Sequence, residues 1–378
     1  MNDRRPYPER IDVARADDPR DVVHRAVACL AQGGVVALPT ETSYQLAAVA
    51  WRPEAVARLG QIRSHGGQGV GHLPLALRGP EEADDWVPNL SPTARRLARR
   101  GWPGPLTLVV EGDVPRGLVR NLPAPAREAI APGATLALCG PSHPIAREVL
   151  RLIPGPLVLA GPHGNGQPPA ITADGLERLD GLDMILDDGP AHLAAPETVV
   201  RVDRDSWAIE RAGALDERAL TRMAGTILLF VCTGNTCRSP MAEALCKRML
   251  AERLGCAVDD LERKGYVILS AGLAAARGHR AAHDAVEAVR ARGASLAGHA
   301  SRPATPELLA QVDLILTMTH EHRRALLNQI PEIVDRVRLL DPDGDDVDDP
   351  IGMDRATYLR TAQAIEGHLA SLLEDLGL

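Results

Sequence analysis

Apolar residues along this chain fall into short runs separated by Gly, Pro and charged residues, and these runs alternate with stretches in which apolar positions recur at helical spacing. The polar opening MNDRRPYPER predicts a frayed end. Residues 21–32 have helical spacing and stop at Gly33-Gly34, a helix followed by a C-cap turn. Residues 35–38 predict a short buried strand, Pro39-Thr40-Glu41-Thr42 the turn after it, and residues 44–49 the next strand. A helix over 53–62, a strand over 73–77, a basic helix over 91–100 and a strand over 106–110 follow. Residues 135–138, 157–160 and 184–186 are further short apolar strands, and 199–202 pairs with 207–210 across Asp203-Arg204-Asp205. Strands mixed with helices predict an α/β domain with a twisted sheet.

A boundary lies near 215–225, where the charged run DERALTRMAG reads as a short helix or linker. The clearest local pattern comes next. The apolar run 227–231 reads as a buried parallel strand. It enters Cys232-Thr233-Gly234-Asn235-Thr236-Cys237-Arg238-Ser239, and Pro240 is expected to open an amphipathic helix. Strand, tight loop and helix in that order aim loop amides and a helix N-terminus at one point, an arrangement suited to a phosphate dianion. Amides, helix dipole and Arg238 would together hold Cys232 as thiolate, the nucleophilic form. The planar fork of Arg238 can grip two equatorial phosphoryl oxygens. Ser239 can donate to the sulfur and help it leave, while Gly234 and Asn235 both tolerate the positive φ of a tightly curled loop. A lone Cys is commonly a small core hydrophobe, and C-x5-R alone occurs by chance; the flanking strand, helix and Ser239 set this one apart. No second Cys/His pair has zinc spacing.

Composition narrows the classes. At 378 residues the chain has room for about two domains. Hydrophobic residues make up 45% but aromatics only 2%, with Phe230 the single Phe, so Leu, Val, Ile and Ala must fill the cores. The net charge of −8 argues against a general nucleic-acid surface. The start carries no apolar signal-peptide core, and no run approaches the roughly 18 apolar residues of a membrane span. Six cysteines in a chain of this size are not a disulfide scaffold, and a required thiolate fits a reducing cytoplasm.

From residue 226 to 378 the chain resembles the low-molecular-weight protein-tyrosine-phosphatase family. The resemblance is carried by CTGNTCRS, by Ser270-Ala271-Gly272, by Gly293, His299 and Arg302, by the 313–318 segment DLILTM, and by Asp349-Pro350. It implies a four-stranded parallel sheet flanked by helices, Cys232 as nucleophile with Arg238, and Asp349 as general acid, with Asp348 its rival. Thr233, Gly234, Asn235, Thr236, Cys237 and Ser239 would complete the phosphate site, with no metal or organic cofactor and a phosphorylated protein as substrate. The Asp341–Asp349 segment holds six carboxylates, mostly a solvated loop that can also attract a cation. CTGNTCRS is similar to the loop of bacterial protein-arginine phosphatases, in which this Thr favours phosphoarginine, and Ile351-Gly352 stands where tyrosine-directed animal members carry two tyrosines. The reading is therefore phosphoarginine or phosphotyrosine hydrolysis, leaning to the former. Cys237 is close enough to Cys232 for a protective disulfide, or is a half-buried loop thiol. Cys246 and Cys256 read as core or surface thiols, and Tyr358 as a packing residue.

Over 15–215 the chain resembles the YrdC-like family, which includes the threonylcarbamoyl-AMP synthases, through GGVVALPTET, WPGPLTLVV, SHPIAREVL, ILDDG and ETVVRV. The resemblance implies ATP, threonine and bicarbonate as ligands, for tRNA modification. Three departures point to a degenerate or repurposed cleft. Gln45 replaces a Gly, Gln61 replaces a phosphate-binding Lys, and Gly161-Pro162-His163 replaces Ser-x-Asn. One lost charge-assisted contact costs roughly 1.5–3 kcal/mol. Thr40, Thr42 and Arg63 remain as candidate ligands, with a strand-end turn the alternative for Thr40 to Thr42. The glycine-rich loop between His65 and His72 is weak evidence for a metal. A bifunctional synthase–phosphatase and a nucleotide- or RNA-binding module are the alternatives for this half.

Overall fold

The computed structural model describes residues 7–64, 73–162, 168–193, 195–204 and 206–377, which divide into two compact units, Met1–Met223 and Ala224–Leu378. The loop between His65 and His72, and His163, lie outside the described residues.

In the first unit the described elements are β1 (Glu9–Asp12), α1 (Pro19–Ala31), β2 (Val36–Pro39), β3 (Tyr44–Val49), α2 (Pro53–Ser64), β4 (Leu75–Ala76), α3 (Ala83–Trp86), α4 (Pro92–Gly101), β5 (Gly104–Glu111), α5 (Ala124–Ile130), β6 (Thr135–Gly140), α6 (Pro144–Leu152), β7 (Leu157–Ala160), β8 (Met184–Asp187), β9 (Thr198–Asp203), β10 (Ser206–Arg211) and α7 (Glu217–Ala224). The strands form one mixed sheet in the order β1-β8-β2-β3-β7-β4-β6-β5-β9-β10. Helix α1 starts where the Asp18 side chain accepts the Arg20 N–H and Pro19 takes the first turn. Its Val22, Val23, Ala26 and Leu30 pack with Ile145 and Val149 of α6 onto Val36, Leu38, Leu157, Leu159 and Leu186 of the sheet. Such aliphatic packing replaces the missing aromatics.

The opening is not wholly frayed, because Glu9–Asp12 forms β1, parallel to β8. Charge holds it: the Arg10 guanidinium donates to Asp187 at 2.7 Å and to Asp174 at 2.9 Å. A polar edge strand gives no hydrophobic alternation to read. The strand expected over 73–77 contracts to two residues.

The second unit contains β11 (Thr226–Cys232), α8 (Arg238–Leu254), β12 (Tyr266–Gly272), α9 (His283–Arg290), α10 (Pro306–Gln311), β13 (Leu314–Thr317), α11 (His320–Gln329), β14 (Val337–Leu339) and α12 (Arg355–Asp375). Its four strands are all parallel, in the order β12-β11-β13-β14. Strand β11 is buried on both faces, which explains its unbroken apolar run. Leu228 and Phe230 meet Met241, Leu245, Ala285, Val289, Ile365 and Leu369 from α8, α9 and α12. Leu229 and Val231 meet Leu309, Val312, Leu326 and Ile333 on the other face. With β12 on one side and β13 on the other, the carboxyl end of β11 is the switch point at which open parallel sheets hold ligands.

Helix α8 begins at Arg238, two residues before Pro240. Pro240 is tolerated because the first-turn amides of a helix have no intrahelical acceptor.

Replacing Phe230, fully buried in this aliphatic core, by Ala is expected to destabilise the second unit by about 3–5 kcal/mol. A urea titration followed by circular dichroism would read this as an early transition; an unshifted curve would remove Phe230 from the core.

Candidate active site

Residues 233–237 link β11 to α8 in one tight curl. Its carbonyls are tied outward. Leu273 N–H donates to Cys232 O, Ala274 N–H to Thr233 O and Ala282 N–H to Thr236 O, each at 2.9 Å. His299 Nε2 donates to the Asn235 carbonyl at 2.9 Å. With these oxygens engaged outside, the Asn235 N–H turns inward to the Cys232 sulfur, the arrangement of an anion nest.

Asn235 holds the curl. It sits at φ 56°, in the left-handed region. Its side-chain amide donates to Ser239 Oγ at 3.0 Å and to Ser270 Oγ at 2.9 Å, while its Oδ1 accepts the Arg302 N–H at 2.9 Å. Ser270 in turn donates to Glu243 at 2.5 Å. Of the two residues that tolerate positive φ, Gly234 and Asn235, only Asn235 adopts it, and a Cβ at Gly234 would meet nothing closer than Thr236 Oγ1 at 3.6 Å. The demanding glycine is Gly272, where a Cβ would lie 2.5 Å from Thr233 O and 2.8 Å from Asn235 N.

Cys232 is buried at the base of the curl. Its Sγ accepts the Asn235 N–H at 3.3 Å and lies 3.0 Å from Ser239 Oγ. The single Ser239 proton is shared between that sulfur and the Ala271 carbonyl at 3.2 Å. Arg238 is also buried; its Nη1 donates to Val347 O at 3.0 Å and its Nη2 pairs with the Asp349 carboxylate. Asp349 also accepts the Ile351 N–H at 3.2 Å. The structure thus brings Cys232, Arg238, Ser239 and Asp349 together. Asp348 is exposed.

Thr233 is exposed at the mouth and Thr236 half-buried beside it. Ile351 and Met353 are 65% and 60% exposed, so no aromatic wall stands after Pro350. Cys237 is buried rather than half-buried, with its Sγ 3.4 Å from the Tyr358 hydroxyl, a contact beyond simple packing. Burial, with the Cys237 thiol beside it, pushes the Tyr358 phenol up. Burial on α8 takes the Cys246 thiol up to about 12, the behaviour of a core thiol. Among the described residues no group of three or more His, Cys, Asp or Glu is placed to hold a metal ion, so the Asp341–Asp349 carboxylates do not gather around one point. Asp346 instead accepts the His320 N–H and pairs with its ring, which holds its carboxyl below the usual range.

In the first unit Thr40 and Thr42 are buried and bond locally. Thr40 Oγ1 donates to Ser43 O at 2.6 Å and lies 3.2 Å from Thr42 Oγ1, as a strand-end turn does. Glu41 points away, accepting the Ser142 N–H at 2.9 Å. Arg63 is half-buried near the end of α2, its guanidinium pushed down by burial and by Arg211. Glu197 is raised by burial. It has Arg211 as its ion-pair partner at 2.7 Å, with Glu41 and Arg63 within electrostatic reach. Gln61 is exposed and carries no charge, and Gln45 donates to Ser43 Oγ at 2.9 Å.

Sequence reasoning did not assign Glu243, Gly272 or His322 a place around the loop. Ser270 and Gly272 carried a signal in Ser270-Ala271-Gly272; Glu243 and His322 carried none.

A family model described as "Low molecular weight phosphotyrosine protein phosphatase" matches residues 227–377, and one described as "Telomere recombination" matches residues 28–213. A protein-arginine-phosphatase of Bacillus subtilis (strain 168) is 39% identical over 153 residues, 39% of this chain and 95% of that protein. A putative threonylcarbamoyl-AMP synthase of Mycobacterium leprae (strain TN) is 30% identical over 222 residues, 58% of this chain and 95% of that protein. The crystal structure of a YwlE mutant from Bacillus subtilis is 36% identical and is covered in full by 41% of this chain, with a TM-score of 0.36.

Asn235→Ala should open the curl by removing three side-chain bonds and a residue suited to its φ. Each lost bond is worth roughly 0.5–1.5 kcal/mol. Calorimetric titration with inorganic phosphate is expected to show at least about tenfold weaker binding, about 1.4 kcal/mol; an unchanged affinity would mean the curl does not depend on Asn235.

Proposed function

The chain belongs to the low molecular weight phosphotyrosine protein phosphatase family over residues 227–377 and to the family described as "Telomere recombination" over residues 28–213, and on that premise we propose that its phosphatase half removes phosphate from phosphoarginine in proteins, with phosphotyrosine the lesser substrate. The observation that carries the proposed site is the convergence of the Cys232 sulfur, the loop amides and the buried Arg238 guanidinium on one point beneath Asp349.

In the mechanism, Cys232 Sγ attacks phosphorus in line. Inward amides of 233–237 and the Arg238 fork hold the equatorial oxygens, where charge is greatest in the transition state. Ser239 donates to the sulfur and steadies it as the leaving group of the second step. Asp349 gives its proton to the leaving atom, then takes one from the water that cleaves the phosphocysteine. Arg238 and the amides supply the charge neutralisation, so neither a metal nor an organic cofactor is required, and a reducing cytoplasm suits the free thiol. Preference for phosphoarginine is supported by the half-buried Thr236 at the mouth, by Ile351 in place of an aromatic wall, and by the 39% identity to a protein-arginine-phosphatase.

A second reading concerns the first unit. The 30% identity to a putative threonylcarbamoyl-AMP synthase favours ATP and threonine as ligands of the cleft around Arg63, making the chain bifunctional; an RNA or nucleotide sensor is the variant without turnover. Against the synthase stands the charge balance near Arg63, where the Arg63 and Arg211 cations lie within electrostatic reach of the Glu197 carboxylate and Glu41.

Turnover of phosphoarginine and phosphotyrosine peptides by wild type and Thr236→Ile tests the first reading. The ratio is expected to shift toward phosphotyrosine in the variant, with Cys232→Ser inactive; equal ratios, or an active Cys232→Ser, would overturn it. Titration of the Cys232→Ser chain with ATP and threonine in bicarbonate buffer tests the second. Heat only with both ligands, together with pyrophosphate release, marks a synthase; binding without release marks a sensor, and no heat removes both.

A further inference from the structure

Thr233 is the one exposed hydroxyl-bearing residue of the 232–239 stretch. Its carbonyl is held outward by Ala274, so its contribution to the mouth is its side chain. That side chain has a partner from another element: Thr233 Oγ1 lies 2.9 Å from Nε2 of His322, on α11. His322 Nδ1 lies 2.9 Å from Thr319 Oγ1. Thr319 caps α11, its Oγ1 accepting the His322 backbone N–H at 3.2 Å. His322 itself is only 5% exposed. A buried imidazole bonded through both ring nitrogens, next to the loop, has no part in the mechanism above.

We propose that His322 is a positioning residue: Thr319, His322 and Thr233 form a chain of hydrogen bonds that turns the Thr233 hydroxyl proton toward the phosphoryl group, adding a side-chain donor to the ring of amides. The proposal rests on the phosphatase reading and extends it to a residue outside the loop.

The direction of the chain follows from proton counting. A neutral imidazole offers one N–H and one lone pair. His322 is held below the ordinary histidine value by burial and then by the Arg238 charge, against smaller opposing effects from Glu321, Asp349 and Asp346, so the ring is neutral near pH 7. With the proton on Nε2, Thr319 donates to Nδ1, Nε2–H donates to Thr233 Oγ1, and the Thr233 proton is free for the anion. With the proton on Nδ1, Thr233 spends its proton on Nε2 and turns lone pairs toward a dianion. Two features select the first arrangement. Thr319 Oγ1 already accepts an amide proton, which polarises its O–H as a donor. The loop is built to receive negative charge, so a donor at position 233 is favoured over an acceptor.

The test uses the full chain labelled with 15N-histidine. Long-range 15N–1H spectra between pH 6 and 8 are expected to show His322, identified by its absence in His322→Asn, as the Nε2-protonated neutral ring; the Nδ1-protonated form would overturn the proposal. Inorganic phosphate titration supplies a second readout that does not depend on turnover. Thr233→Val, a change at an exposed position, is expected to bind phosphate roughly tenfold more weakly, as loss of one bond to a charged group implies. Thr233→Ser is expected to recover most of that affinity, and His322→Phe to add little on top of Thr233→Val. Equal phosphate affinity in wild type and Thr233→Val, or fully additive losses, would refute the chain. Hydrolysis of p-nitrophenyl phosphate by wild type, lost in Cys232→Ser, separates the two levels. If it is absent while the phosphate and tautomer results hold, the phosphatase reading fails and the hydrogen-bond chain stands as part of an anion site only.

Discussion

The second unit depends on one constraint: residues 232–238 must curl so tightly that the carbonyls of Cys232, Thr233, Asn235 and Thr236 are held from outside while the Asn235 N–H turns in to the Cys232 sulfur. Nothing within 232–238 can enforce this alone. The oxygens are held by amides of Leu273, Ala274 and Ala282 and by the ring of His299. The bend is held by Asn235, whose left-handed backbone would be strained in most residues and whose side chain reaches Ser239, Ser270 and the Arg302 amide. Its floor is Gly272, kept bare because a methyl group would collide with the loop backbone. The sheet therefore acts as a jig. Residues 232 and 272 are paired neighbours in the ladder, so the register that buries Phe230 and Leu229 also sets the curl on its glycine floor.

That dependence explains what could be read from the chain in advance. The strand, curl and helix were legible because their signals are local: an apolar run, a Cys and an Arg at fixed spacing, a following amphipathic helix. The parallel sheet came through the family resemblance and stands as it implied, whereas the pairing of Asp349 with Arg238 had no signal of its own. Support for the curl was less visible, because Ser270, His299 and Arg302 approach Asn235 from 35 to 67 positions away. No periodicity marks a side chain chosen to bond across that distance. The choice between Gly234 and Asn235 shows the same limit: both tolerate positive φ, but the bonds available to Asn235 decide which residue adopts it.

The first unit shows a different gap between pattern and structure. Its buried strands are nearly pure Val, Leu, Ile and Ala and were visible as such. Strand β1 was not, because Arg10 holds it to β8 through Asp187, and charge pairing leaves no alternation to detect. The charges around Glu197 likewise meet only in three dimensions. Glu41 and Glu197 come from loops before β3 and β9, and Arg63 and Arg211 from α2 and β10, so their balance of two acids and two bases is a property of the fold.

The pairing of Arg238 with Asp349 has one more consequence. The guanidinium carries its own built-in counter-ion, so a phosphoryl dianion enters by exchange, displacing a carboxylate that is tethered and cannot diffuse away. Exchange of that kind lowers the net electrostatic gain of occupancy and keeps the displaced group at the rim, within reach of whatever atom leaves. On the proposed mechanism that carboxylate is freed from Arg238 just when it must take up the proton it will give to the leaving atom, so one salt bridge governs both phosphate entry and acid catalysis.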